Sequence, residues 1–146
     1  MELSLALTLP RDEQTVPVAR HIVRNAMEQV GVEVTCIDDV ELALSEACTN
    51  VLLHSGPGDQ FVVRLDLEDR LGVIRVVDVG RGFDAATLPA TDDLVEAERG
   101  RGLGVMQAVV DRVDLTSRPE AGTIVRLEKV LTYRDEALLV GRRKQV

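Results

Sequence analysis

Glu46 and Asn50 stand one helical turn apart in ELALSEACTNVLLH, residues 41–54, where most neighbours are Leu, Ala, Val and Cys. A buried carboxylate or amide left unpaired costs several kcal/mol, so the pair implies a partner, either in the chain or bound from outside. A carboxylate and an amide oxygen are both hydrogen-bond acceptors, and the amide also donates. Their i, i+4 spacing aims both side chains at one place.

Two glycine clusters follow downstream. In DVGRG, residues 78–82, Asp78 leaves a hydrophobic strand just before Gly80 and Gly82. Glycines there let a bound group approach the backbone, and the carboxylate can accept a hydrogen bond from an exocyclic amine such as that of adenine. An ordinary turn accounts for the same residues equally well. In ERGRGLGV, residues 98–105, three glycines precede a helical pattern. Exposed N–H groups at a helix N-terminus, reinforced by the helix dipole, suit an anion such as phosphate. The cluster is neither a P-loop, which needs Gly-Lys-Ser/Thr, nor a dinucleotide fingerprint, which needs a tight strand-to-helix turn. Arg101, between the glycines, suits either phosphate or plain solvation. His54 at the end of the first motif reads as a local cap or packing residue.

The elements that must position these residues alternate without repeats or composition breaks. Leu3, Leu5, Leu7 and Leu9 alternate with small or polar residues, which predicts a half-buried strand ended by Pro10. Asp12 or Thr15 can cap a helix to Val30, with Val18, Ile22, Val23, Ala26, Met27 and Val30 inward and Gly31 as its stop. A second helix runs from Thr35 or Cys36 to His54, and SGPGD, 55–59, is a turn. Residues 60–68 and 71–80 read as strands joined by Asp69 and Arg70. The stretch from Gly80 to Arg99 loses periodicity and reads as a functional loop or lid. A helix over 102–113 and strands over 113–118 and 122–131 complete a β α α β β loop α β β order. Strands clustered in hairpins predict an α+β two-layer sandwich, a mixed, mainly antiparallel sheet with helices on one face.

Composition narrows the function classes. The chain has 146 residues, enough for one domain with a real core, and with 2% aromatics that core must be aliphatic. A formal charge of −8 argues against a nucleic-acid groove. The N-terminus has no basic segment before its apolar run, and nothing approaches the roughly 18 apolar residues of a membrane span, so a cytoplasmic location is expected. Cys36 and Cys48 on one helix would lie about 18 Å apart, too far for a disulfide, and no CxxC or His pair suggests a metal role for them.

SEACTNVLLH, DVGRGFD, GRGLGVMQAVVD and GTIVRLEK, in this order, resemble the motifs of the Bergerat-fold (GHKL) ATP-binding superfamily shared by gyrase, histidine kinases and certain chaperones. The match is nearest to the serine kinase anti-sigma factors of bacterial sporulation and stress control, and it covers roughly residues 1–131, leaving 132–146 as a tail without a counterpart. The resemblance implies that Asn50 holds Mg2+ bound to the ATP phosphates and that Glu46 is the general base. It implies that Asp78 reads adenine, with Gly80 and Gly82 shaping the pocket and Thr123 near the base. Gly102, Leu103 and Gly104 then match the phosphate side, with Arg101 beside them. The implied activity is transfer of phosphate to a serine of a small anti-anti-sigma protein by a kinase that also sequesters a sigma factor. The resemblance further implies a homodimer, which the first strand suits as a sheet edge, and places Arg20, on the exposed side of the first helix, at a partner surface. A non-catalytic, nucleotide-gated binding module is the alternative.

If Asp78 reads the adenine amine, calorimetry with Mg2+ present will show ATP and ADP binding far better than GTP. Asp78→Asn will weaken binding, because an amide donor would face that amine. Equal ATP and GTP affinity would remove Asp78 from the site.

Overall fold

The computed structural model describes residues 2–54, 60–79, 101–118 and 122–135. The described elements are β1 (Glu2–Pro10), α1 (Val16–Val30), α2 (Val34–His54), β2 (Gln60–Glu68), β3 (Leu71–Val79), α3 (Arg101–Val109), β4 (Arg112–Arg118) and β5 (Gly122–Val130). A single 3-10 turn, Glu13–Thr15, precedes α1. The strands form one sheet in the order β1-β2-β3-β5-β4, and every described pairing is antiparallel. The expected α+β order is therefore present, with no parallel pair among the described strands. The β4–β5 hairpin sets β5 beside β3, which leaves β1 and β4 as the two edges.

Register decides which side chains meet the helices. Leu9 pairs with Phe61 and Phe61 with Asp78, Leu7 with Val63 and Val63 with Val76, Leu5 with Leu65 and Leu65 with Ile74. Side chains on a strand alternate faces, so these rows share one side, joined by Val125 and Leu127 of β5. That side forms the aliphatic core with Val23, Met27, Ile37, Val40, Leu44, Ala47 and Val51 of α1 and α2 and Met106 of α3. The opposite face carries a charged row instead: Arg64 and Arg75 meet Asp66 at 2.9 and 3.4 Å, and Arg112 meets Asp114 at 2.9 Å. Burial alone would raise the Asp66 pKa, but hydrogen bonds from Arg64 and Ser4 and the charges of Arg64 and Arg75 outweigh it, and the net shift is downward.

The first helix begins differently from either expected cap. Asp12 accepts from the Gln14 N–H and so caps the 3-10 turn, whereas Thr15 occupies the α1 N-cap with its hydroxyl turned back to the carbonyls of Pro10 and Asp12. Gly31 ends the helix at φ 91°, the left-handed conformation that glycine adopts without a Cβ penalty. The inward face is Val16, Ala19, Val23, Met27 and Val30, while Val18 and Ile22 are exposed at 44% and 37%. This corrects part of the expected face: Val23, Met27 and Val30 are inward as expected, but Val16 and Ala19 take the places of Val18 and Ile22.

The third helix stops at Val109, four residues before the expected Val113. Arg112 and Val113 instead pair with Glu128 and Leu127 in β4, and this ladder outcompetes further helix. At the hairpin between β2 and β3, Asp69 has φ 49° and its carbonyl accepts from the Tyr133 hydroxyl at 2.7 Å. Tyr133 bridges to Val32 and belongs to the core, so the packed chain continues past Leu131. Cys36 and Cys48 are free and buried. Among the described residues no helix is long and apolar enough to cross a membrane. The 55–59 turn, the 80–99 stretch and residues 136–146 lie outside the described residues.

The corrected face of α1 can be checked by urea denaturation. Met27→Ala will cost about 2–5 kcal/mol through the cavity it leaves, whereas Ile22→Ser will change stability by no more than about 0.5 kcal/mol. Similar losses in both would return Ile22 to the core.

Candidate functional site

The second helix turns one stripe fully inward and leaves the other open, with Leu42 and Leu53 exposed. Ala43, Leu44, Ala47, Cys48 and Val51 are fully buried, which ties α2 to the sheet and orients the rest of its surface. Glu46 and Asn50 sit half-buried at the margin of that face. Neither side chain makes a hydrogen bond or ion pair with another described residue. Cys48 lies between them in sequence, and burial pushes its thiol up to about 12.

Asp78 is fully buried on β3 and shares the helix-side face with Phe61. The last β3–β5 pair is Val77 with Ile124, so Thr123, itself buried, stands one step further on, opposite Asp78. Adjacent strands lie about 5 Å apart, which puts the carboxylate and the threonine side by side. Arg11, just after β1, joins this group: its Nε lies 3.9 Å from Asp78 Oδ1, and it donates to the Leu52 carbonyl at 3.2 Å. One guanidinium thus spans the end of the central strand and the last turn of α2. Asn50 lies within that turn's reach, and Glu46 one turn before it.

The third helix reaches the same region from the other side. It packs along α2, and its C-terminal Val109 carbonyl is linked through Lys129 to Asp39, near the start of α2. Running back along α2, its nine residues rise about 12 Å. Its first turn lies at the far end from that link. Arg101, Gly102, Leu103 and Gly104 occupy this turn, with Leu103 packed on the core. Gly104 is exposed, and a Cβ built on it meets nothing within 4 Å. Internal packing therefore does not require glycine at that position, although it costs helix stability.

Of the sequence-derived site residues, Asp78 and Thr123 stand opposite one another at the end of β3 and β5, Arg11 ties Asp78 to Leu52, two residues beyond Asn50, Glu46 lies one turn earlier on α2, and Leu103 and Gly104 lie in the first turn of α3, which packs on α2. Gly80 and Gly82 lie outside the described residues, as do the side-chain surroundings of Arg101 and of His54, the last residue of α2. Arg20 is separate. It is half-buried on α1 and not on its exposed side, and its Nε is sealed from solvent without a hydrogen-bond partner among the described residues. Arg11 is the site residue that sequence reasoning missed, since an arginine after a strand-ending proline carries no periodic or motif signal.

Residues 9–129 match the family described as histidine kinase-like ATPase domain. The chain is 32% identical over 124 residues to the anti-sigma F factor of Caldanaerobacter subterraneus subsp. tengcongensis, covering 81% of this chain and 87% of that protein. It is 31% identical over 143 residues to the serine-protein kinase RsbW of Bacillus pumilus, covering 87% and 85% respectively. In a crystal structure of the RsbU and RsbW domains of a Mycobacterium tuberculosis protein, the similar region has a TM-score of 0.70 at 21% identity. It covers 90% of this chain and 33% of that longer one, a likeness of fold.

Gly104→Ala separates the cost of this glycine from its use. Thermal melting of the ligand-free variant will show a gain of about 0.5–1 kcal/mol, since alanine is the better helix residue and has room, while affinity for Mg-ATP falls because the methyl occupies the open side of the turn. A stabilised variant with unchanged affinity would mean that this side does not face the ligand.

Proposed function

The chain belongs to the histidine kinase-like ATPase domain family, and on that premise we propose that it is an ATP- and Mg2+-dependent protein-serine kinase and anti-sigma factor acting in the cytoplasm. It binds a sigma factor and phosphorylates a serine of a small anti-anti-sigma protein, so that phosphorylation decides which partner it holds. The observation that carries the enzymatic reading is the pair Glu46 and Asn50: half-buried, one turn apart on α2, the helix that α3 packs against, and without side-chain partners among the described residues.

The residues present fit the nucleotide and its metal. A buried carboxylate at Asp78 accepts a hydrogen bond from the adenine amine, with Thr123 beside it. Gly80 and Gly82 would shape that pocket. The first turn of α3, with Arg101, Gly102, Leu103 and Gly104, offers backbone N–H groups and a helix dipole to phosphate oxygens. The Asn50 side-chain oxygen would hold Mg2+. When bound, ATP supplies the phosphoryl group and the metal screens its charge. Glu46 accepts the proton of the substrate serine hydroxyl as that oxygen becomes the nucleophile. Arg11 balances the buried Asp78 and keeps α2 against β3.

Partner contacts follow from the surfaces left open. β1 is an edge strand, which suits pairing with a second copy in a homodimer. Arg20 is half-buried with its Nε inward, beside the exposed Val18 and Ile22 of α1, so a partner carboxylate would meet the outer nitrogens of its guanidinium. Light scattering at micromolar concentration will give the dimer mass, and Arg20→Glu will weaken capture of a partner; a monomer mass, or unchanged capture, would remove the respective assignment.

Glu46 and Asn50 will fail differently. Glu46→Ala keeps the metal and phosphate contacts, so ATP binding survives while transfer of labelled phosphate to the cognate antagonist falls by about 10² to 10⁴. Asn50→Ala removes a metal ligand, and Mg-ATP affinity and transfer drop together. Normal transfer by a folded Glu46→Ala protein would sink the base assignment. A wild-type chain that binds ATP but phosphorylates no captured partner would instead be a nucleotide-gated binding module.

A further inference from the structure

Lys129 is a cation that the proposed chemistry does not use, yet it is turned inward. It lies on β5 in register with Gly72, on the face that also carries Val125 and Leu127, and its side chain is only 17% exposed. Its ammonium donates to the Val109 carbonyl at 2.8 Å and to Asp39 Oδ2 at 3.1 Å. Val109 is the last residue of α3, where carbonyls lack helical partners and the dipole is negative, so a cation is favoured on both counts. Two further bonds fix the same end: the Asp111 N–H donates to the Glu128 carbonyl at 2.9 Å, and the Val130 N–H donates to Asp111 Oδ2 at 2.7 Å. One end of α3 is thereby clamped to both β5 and α2.

We propose that Lys129 is a positioning residue for phosphate binding: by clamping the C-terminal end of α3 to β5 and Asp39, it sets where the glycine turn at the other end meets the phosphates. The inference rests on the nucleotide reading given above. A short helix transmits a displacement as a rod does. With about 12 Å between its ends, a tilt of about 5° moves the first turn by about 1 Å, a shift large enough to weaken contacts to a phosphate. Adenine recognition is spared, because Asp78 and Thr123 stand on β3 and β5 and do not depend on the direction of α3.

The test compares Mg-ATP with adenosine, which lacks phosphates, on the full chain. Lys129→Met will lose roughly 3- to 30-fold in Mg-ATP affinity and keep its adenosine affinity, and Lys129→Arg, which restores a cation, will recover most of the loss. Asp39→Asn removes only the exposed partner of the ammonium and will give a smaller loss of the same kind, so the clamp stays testable if Lys129→Met does not fold. Equal losses for both ligands, or no loss for either, in a folded variant of a wild type that binds ATP would overturn the clamp alone. A wild-type chain that binds neither adenosine nor ATP would overturn the nucleotide reading and the clamp with it.

Discussion

A carboxylate buried in an aliphatic core is the constraint around which this fold is arranged. Asp78 is fully buried at the end of the central strand β3, in a protein with only 2% aromatic residues and few polar groups inside. An ion taken from water needs compensation close by, or it would neutralise or unfold its surroundings. Arg11 supplies a positive charge, and neighbouring elements close around the pair. Arg11 comes from the chain just after β1, Thr123 from β5, and the last turn of α2 is held beside them through the Leu52 carbonyl. Asn50 stands two residues before Leu52 on α2, and Glu46 one turn earlier.

The opposite end of the sheet is built for stability. Tyr133 donates to the Asp69 carbonyl and Val32 bridges to Tyr133, so the β2–β3 hairpin, the α1–α2 connection and the segment after β5 meet there. Arg24 of α1 adds hydrogen bonds to Glu28, Asp38 and Glu41, pinning the first turns of α2 to α1. Polar groups at this end satisfy one another. At the Asp78 end, a half-buried carboxylate and amide and an open glycine are left without internal partners among the described residues, and local departures from self-satisfaction of this kind mark functional regions.

The strands and helix order were legible because their signals are local. Alternating leucines mark β1, Gly31 stops α1, and Asp69-Arg70 turns the β2–β3 hairpin. Glu46 and Asn50 were legible for the opposite reason, as polar interruptions in an apolar helix. What failed needed tertiary information. Val18 and Ile22 have the spacing of a core face, yet the neighbouring stripe of Val16, Ala19, Val23, Met27 and Val30 is the buried one. The run after Val109 carries no helix stop, and only the pairing of Arg112 and Val113 with β5 ends it. Arg11 and Lys129 act on residues 41 and 90 positions away, and no window of sequence joins them to Leu52 or Asp39.

The same helix also keeps a thiol apart from the two residues proposed as base and metal ligand. Cys48 lies between Glu46 and Asn50 in sequence, and a thiolate there would compete as a nucleophile and as a soft metal ligand. Helical geometry separates them: residues 44, 47, 48 and 51 form the stripe that faces the core, whereas 46 and 50 fall at its margin. Burial then holds the Cys48 thiol near a pKa of about 12, so it stays protonated at neutral pH and behaves as a small apolar group. The helix thus carries inert sulfur inward and two oxygen-bearing side chains at its edge. A half-turn slip of α2 would exchange them, burying the carboxylate and exposing the thiol. The fully buried Ala43, Leu44, Ala47 and Val51 oppose that slip, which is how aliphatic packing with no chemistry of its own decides which atoms can react.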